Sequence, residues 1–124
     1  MRQRASGLDL VKSLSDAVNE WKELARVVRK LSGANLKGEF SLLLYRMWKD
    51  DVTRPSDVER MFVGTNATYA IDVLCSRGYV TRTLSKVDKR CTILALTRLG
   101  QMLAQRVGAI CDDYANKDWI GKEA

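Results

Sequence analysis

The sequence predicts a mainly α-helical chain carrying one small β-hairpin. Three observations lead there. Long segments near both ends space their apolar residues three and four apart, the repeat of a helix face. Two β-branched hexamers, 79–84 and 91–96, stand close together with a charged connection between them. Gly33, Gly64 and Gly78 punctuate the helical stretches where a chain stops or turns. The 124 residues suit one domain, 1–124, and the 46% apolar fraction supports a packed core and argues against disorder.

The first helix is expected over 8–31. Val11, Leu14, Val18, Trp21, Ala25 and Val28 follow the alternating three-and-four spacing of a coiled-coil seam. Leu24, Val27 and Leu31 add a second apolar edge, so the helix is expected to serve both its own core and a partner subunit rather than intrachain packing alone. Gly33 with Asn35 stops it. The second helix, 37–49, turns Phe40, Leu43, Leu44, Met47 and Trp48 inward and closes at Asp50-Asp51. Pro55, the single proline, suits the first turn of a short third helix, 55–62, with Thr53 or Arg54 at the cap; Thr53 is the better capping residue.

Gly64 breaks the pattern, and Thr65-Asn66-Ala67-Thr68 opens a fourth helix running to Arg77. Ala70, Ile71, Val73, Leu74 and Cys75 form its packing side, and Thr65, Asn66, Thr68, Tyr69 and Asp72 its polar side. Gly78 ends it. The strands 79–84 and 91–96, joined through Ser85–Arg90, read as a hairpin. Thr97 caps a last helix over about 98–117, with Leu99, Leu103, Val107, Ile110 and Tyr114 on its apolar face and Met102, Ala104, Ala109 and Cys111 widening it. Trp119 and Ile120 then stand exposed unless they dock. No repeat, low-complexity stretch or dividing linker interrupts the chain.

Charge is more informative by position than by total. The 21 Lys and Arg exceed the 15 Asp and Glu, a net +6. Residues 77–106 hold Arg77, Arg82, Lys86, Lys89, Arg90, Arg98 and Arg106 against Asp88 alone, which accounts for the whole excess. A basic stripe beside hydroxyl and amide side chains suits a polyanion, nucleic acid before membrane. A solvated charged face reads the same way from charge alone.

Several function classes recede. With no histidine, the usual acid–base group near neutral pH and the imidazole metal ligand are both missing. No Gly-rich phosphate loop and no paired carboxylates in an apolar setting appear, so no enzyme, cofactor or metal site is expected. Cys75, Cys91 and Cys111 lie 16 and 20 residues apart, without metal-ligand spacing. They are expected as reduced, mostly buried thiols, with a redox switch as the other reading. No apolar run reaches the ~18–20 residues of a membrane span. Met1–Gly7 has no apolar segment behind it, so a signal peptide is not expected and a cytoplasmic location is.

A short helix, a glycine turn, and a helix opening with Thr, Asn and Thr form a helix-turn-helix, and the basic hairpin after it forms a wing. In that arrangement the fourth helix enters the major groove of double-stranded DNA by its N-terminus. Asn66 can pair with an adenine edge, and Thr65, Thr68 and Tyr69 can reach bases or phosphates. One of Thr65 and Asn66 is equally suited to cap the helix, and Tyr69 to pack. Lys86, Lys89 and Arg90 would follow the backbone or an adjacent minor groove. Arg77 and Arg82 are placed to meet phosphate or simply to stay solvated.

These residues carry a resemblance. Gly78-Tyr79-Val80-Thr81-Arg82, then Asp88-Lys89-Arg90, then Leu96-Thr97-Arg98-Leu99-Gly100 is similar in order and spacing to the pattern of the multiple antibiotic resistance regulator (MarR) family. The resemblance covers residues 36–107. It implies a winged helix-turn-helix homodimer that binds palindromic DNA and regulates transcription, with 36–96 as the DNA-binding part. It implies that Asp88 pairs with Arg90, which reaches the minor groove, and that the recognition helix is 65–77. It places the dimer interface on helices 8–31 and 98–120, through Val11, Leu14, Val18, Trp21, Leu103, Val107, Ile110 and Tyr114. The family often takes small effectors, but no residue set here identifies one. Tyr45, Met47 and Trp48 could line a pocket, and core packing suits them better. The chain is short for the family, which usually supplies one more C-terminal helix. The competing expectation is a winged-helix module that holds an acidic protein partner instead of DNA.

Overall fold

Ser6 starts the first helix by accepting the Asp9 N–H on its hydroxyl at 3.0 Å, the geometry of a good N-cap. The structure is a computed structural model that describes residues 6–64 and 66–123, with side chains described through residue 116. Thr65 and the side chains of Trp119 and Ile120 therefore lie outside the described residues. The elements run α1 (Gly7–Ser32), α2 (Gly38–Lys49), α3 (Pro55–Met61), α4 (Ala67–Ser76), β1 (Val80–Leu84), β2 (Thr92–Leu96) and α5 (Arg98–Glu123).

Three chain stops use the left-handed conformation. Gly33 ends α1 at φ 73°. Past α4, Gly78 sits at φ 80°; the Tyr79 N–H donates to the Leu74 carbonyl at 2.9 Å and the Gly78 N–H to Cys75 at 3.1 Å. That nested pair satisfies the last carbonyls of the helix. Asp51 takes the same region at φ 52° without being glycine, which a short polar side chain tolerates best. At α3 the cap differs from expectation. Pro55 occupies the first helical position, so Arg54 holds the cap site in extended conformation and bonds nothing with its side chain. Thr53 instead gives its carbonyl to the Leu94 N–H at 2.7 Å, which ties the chain before α3 onto the free edge of β2.

The strands pair antiparallel, Val80 opposite Leu96 through Leu84 opposite Thr92. Val80 and Leu94 are buried on the inner face, while Thr81 and Thr83 face out. The core gathers Val28 from α1, Leu44 and Met47 from α2, Val58 from α3, Leu74 from α4, Leu94 from β2 and Val107 from α5. α2 lies against both α1 and α5, which also touch each other.

Two glycines permit this packing. A Cβ on Gly38 would stand 1.8 Å from the Ala25 carbonyl oxygen, so only glycine lets α2 start against α1. A Cβ on Gly100 would stand 2.0 Å from the Tyr79 carbonyl oxygen. Thr97 completes that junction: its hydroxyl donates to the Gly78 carbonyl at 2.6 Å and accepts from the Gly100 N–H at 3.0 Å. The Leu96–Gly100 motif thus has a local physical purpose, which is to cap α5 and seat it on the α4–β1 turn.

The apolar faces of the two long helices part company with expectation. Leu103 and Val107 are 3% and 0% exposed, sealed in the chain's own core because that face of α5 rests on α2. They are core residues rather than interface residues. Trp21, Ile110 and Tyr114 are half-buried, and the Tyr114 hydroxyl donates to Glu20 at 3.1 Å. Val11, Leu14 and Val18 stand exposed, joined by Leu8 and Leu10. Among the described residues, no helix is long and apolar enough to cross a membrane.

Candidate nucleic-acid interface

The face that α4 leaves to solvent is short. Asn66, Thr68, Tyr69 and Asp72 are exposed, while Ala70, Ile71 and Leu74 are buried beneath them. Asn66 is the cap: its side-chain oxygen accepts the Tyr69 N–H at 2.9 Å. One acceptor of Asn66 is thereby engaged in starting the helix, and its amide NH2 is left to face outward. Tyr69 stacks edge-on against Phe40 at 6.0 Å between ring centroids, and Phe40 in turn meets Phe62 at 6.1 Å. Its ring is braced and its rim is exposed, so packing and contact are compatible in one side chain.

The wing tip is ordered by one carboxylate. Asp88 Oδ1 accepts the Arg90 backbone N–H at 3.0 Å and the Arg90 Nε–H at 3.2 Å. The Cys91 thiol donates to Oδ2 at 3.6 Å. These donors hold the Asp88 carboxyl below its usual range, the Arg90 backbone N–H foremost. Ser85 closes the other side by accepting the Val87 and Asp88 N–H groups, both at 3.2 Å. The Arg90 side chain remains 91% exposed. Lys86 and Lys89 flank it, also exposed. The tip therefore presents three cations on a turn that its own side chains have fixed.

Three other members of the basic window, though exposed, are engaged by acceptors of their own chain. The Arg77 guanidinium donates to the Asn35 carbonyl, across the α1–α2 connection. Arg106 donates to the Ser32 carbonyl at 2.7 Å, covering an end of α1. Arg82 bonds the Asp72 carboxylate, which holds its proton more firmly. Arg77 and Arg82 were both candidates for DNA contact, with simple solvation as the other reading. The structure gives each an intramolecular acceptor, because the ends of α4 and β1 bring carbonyl and carboxylate within reach. Asp72 drew no role from the sequence beyond the polar face of its helix. Its partner lies on another element, which spacing along the chain does not reveal.

The remaining candidates sort by burial. Met47 is 1% exposed and is core. Tyr45 lines a groove of about 470 Å³ with Trp21, Leu24, Leu42 and Cys111. Burial pushes the Tyr45 hydroxyl and the Cys111 thiol up in pKa, and the nearby Asp112 carboxylate adds to both. The three cysteines are free and each half-buried. Among the described residues, no cluster of carboxylates and thiols could hold a metal ion.

No known family description matches the chain, and no curated protein matches its sequence. Solved structures do match. Streptococcus pneumoniae FabT in complex with DNA aligns at TM-score 0.68 and 21% identity, over 94% of this chain and 83% of that one. A point mutant of S. aureus MepR bound to an oligodeoxyribonucleotide aligns at 0.63 and 15% identity, over 92% and 82%. A MarR transcriptional regulator from Methanosarcina mazei aligns at 0.70 and 19% identity, over 89% and 79%. At these identities the shared property is the fold, a mainly α winged helix-turn-helix.

Proposed function

From that shared fold, we propose that the chain is a MarR-type regulator that binds double-stranded DNA as a homodimer and controls transcription. In this reading α4 enters the major groove by Asn66, Thr68 and Tyr69, with Thr65 beside them. Lys86, Lys89 and Arg90 meet the backbone or the next minor groove. One observation carries it: Asp88 holds Arg90 by two hydrogen bonds while leaving its side chain 91% exposed. An ordered, outward cation on a wing beside a helix N-terminus is suited to a phosphate or a narrow groove. The DNA-bound state of two of the similar structures supports the same direction.

The dimer part of the reading rests on α1. Leu8, Leu10, Val11, Leu14 and Val18 are all at least 45% exposed on one long helix, more apolar surface than a lone helix leaves in water without cause. A second copy covering it would set two copies of α4 about one DNA turn apart. The cytoplasm is the compartment that goes with this function.

Selection of bound sequences from a random duplex library tests the whole. The expected result is enrichment of a palindrome with half-sites about 10 base pairs apart, centre to centre, with Arg90→Ala weakening binding while the fold stays intact. No binding to any duplex at low salt overturns the reading and favours a protein-partner module.

A further inference from the structure

The apex of the wing carries an apolar side chain among its cations. Val87 is 98% exposed, more than any other large apolar side chain among the described residues. Lys86 precedes it and Lys89 and Arg90 follow, all three exposed. The turn beneath it is closed from both ends. The Ser85 N–H donates to the Cys91 carbonyl at 2.8 Å, and the Cys91 N–H to the Asp88 carbonyl at 2.9 Å. The Val87 N–H itself donates to the Ser85 hydroxyl at 3.2 Å.

A valine held this way is aimed rather than loose. Its β-branched side chain keeps few χ1 states, so little freedom is lost when a ligand encloses it. Turn positions favour Gly, Pro, Asn, Asp and Ser, so turn chemistry alone does not call for valine at this apex. The isopropyl group has neither donor nor acceptor, so it adds nothing to phosphate binding. It suits a narrow surface whose walls are anionic and whose floor projects no hydrogen-bond donor. The minor groove of A·T-rich duplex DNA is such a surface: about 6 Å wide, walled by phosphates, with acceptors but no amino group on its floor.

We infer that Val87 is a specificity-determining residue, which meets the minor-groove floor beside each half-site and selects A·T over G·C pairs there. The inference rests on the DNA-binding reading above. It adds a base preference that the cations of the wing, which answer to phosphate and to groove width, do not supply. The acceptors on the groove floor are common to all base pairs, and G·C adds the guanine 2-amino group. That group projects toward an isopropyl group that cannot accept its hydrogen bond. A G·C pair under Val87 is therefore crowded and left with an enclosed donor unpaired.

The test is fluorescence anisotropy of the full-length protein with two versions of a duplex recovered by selection from a random library. One carries A·T pairs flanking the half-sites. The other has 2,6-diaminopurine in place of those adenines, which adds a 2-amino group in the minor groove and leaves the major-groove edge unchanged. Wild type is expected to bind the diaminopurine duplex about tenfold more weakly. Val87→Thr keeps the branched shape and offers an oxygen to the amino group, so its preference is expected to fall below about twofold. Its affinity for the A·T duplex is expected to stay near that of wild type. Arg90→Ala is expected to weaken binding to both duplexes. Equal affinity of wild type for the two duplexes, or a preference that survives Val87→Thr, overturns the inference; weakening by Arg90→Ala then leaves the DNA reading standing. Absence of wild-type binding to any duplex removes both and leaves the wing to a protein partner.

Discussion

The Arg82 guanidinium on β1 bonds the Asp72 carboxylate on α4, so the hairpin and the helix before it are joined by an ion pair. Both side chains are about half exposed, and a pair of that kind adds only ~0.5 kcal/mol to stability. Its value is geometric, since it sets the strand that carries the wing against the helix beside it. A double-mutant cycle in DNA affinity checks this. Arg82→Gln, Asp72→Asn and the double variant should lose similar affinity, with the two changes strongly non-additive. Independent, additive losses with a shallower salt slope for Arg82→Gln would instead make Arg82 a phosphate contact.

Order at the wing tip should be insensitive to pH near neutrality. Asp88 has a lowered pKa because Arg90 donates to it. A depressed carboxyl contributes order above its unfolded pKa and loses it only as pH falls through the folded value, in acid. With no histidine in the chain, affinity for duplex DNA should change less than about twofold between pH 6 and 8. A steep step in that window contradicts the assignment. Asp88→Asn should weaken binding at every pH by loosening Arg90.

Close approach at two glycines should dominate local stability. Gly38→Ala and Gly100→Ala each drive a Cβ into a backbone carbonyl, at 1.8 and 2.0 Å. Each should cost about 1–3 kcal/mol in urea unfolding. Gly7→Ala, with nothing within 4 Å, should change stability by less than about 0.5 kcal/mol.

The long helices should separate into two kinds of apolar position. Leu103→Ala, at 3% exposure, should destabilise the fold by about 2–5 kcal/mol. Leu14→Asp, at 57%, should leave the secondary structure intact and shift sedimentation equilibrium toward monomer. A Leu14→Asp protein that remains fully dimeric places the subunit interface elsewhere.

Cys111 should be the slow thiol. Burial and the neighbouring Asp112 raise its pKa, which depletes the thiolate that reacts. Alkylation by iodoacetamide at pH 7.5, followed residue by residue by mass spectrometry, should modify Cys111 more slowly than an unstructured cysteine peptide. Faster modification would show an activated thiol.

Much of the fold is legible in the sequence because its signals are local. Val11 through Val28 announce α1 by spacing, Pro55 and Gly78 mark a start and a stop, and Thr97 with Gly100 marks the cap of α5. The Asp88–Arg90 bond is also local, two residues apart within one turn. Ser6 with Asp9 had a readable capping spacing as well, and it moves the start of α1 to Gly7.

What only the tertiary structure decided involves partners distant in the chain. Burial of Leu103 and Val107 depends on which side of α5 meets α2, and helical periodicity marks an apolar face without saying what covers it. Arg77, Arg82 and Arg106 read as one basic stripe, yet each is bound to an acceptor distant or separate in the fold: Asn35 in the α1–α2 connection, Asp72 on α4 and Ser32 at the end of α1. Net charge is a property of composition, but the field outside the protein depends on which cations are already paired. Packing of the helices therefore ties those three cations to their own chain and leaves Lys86, Lys89 and Arg90 at the wing tip facing outward.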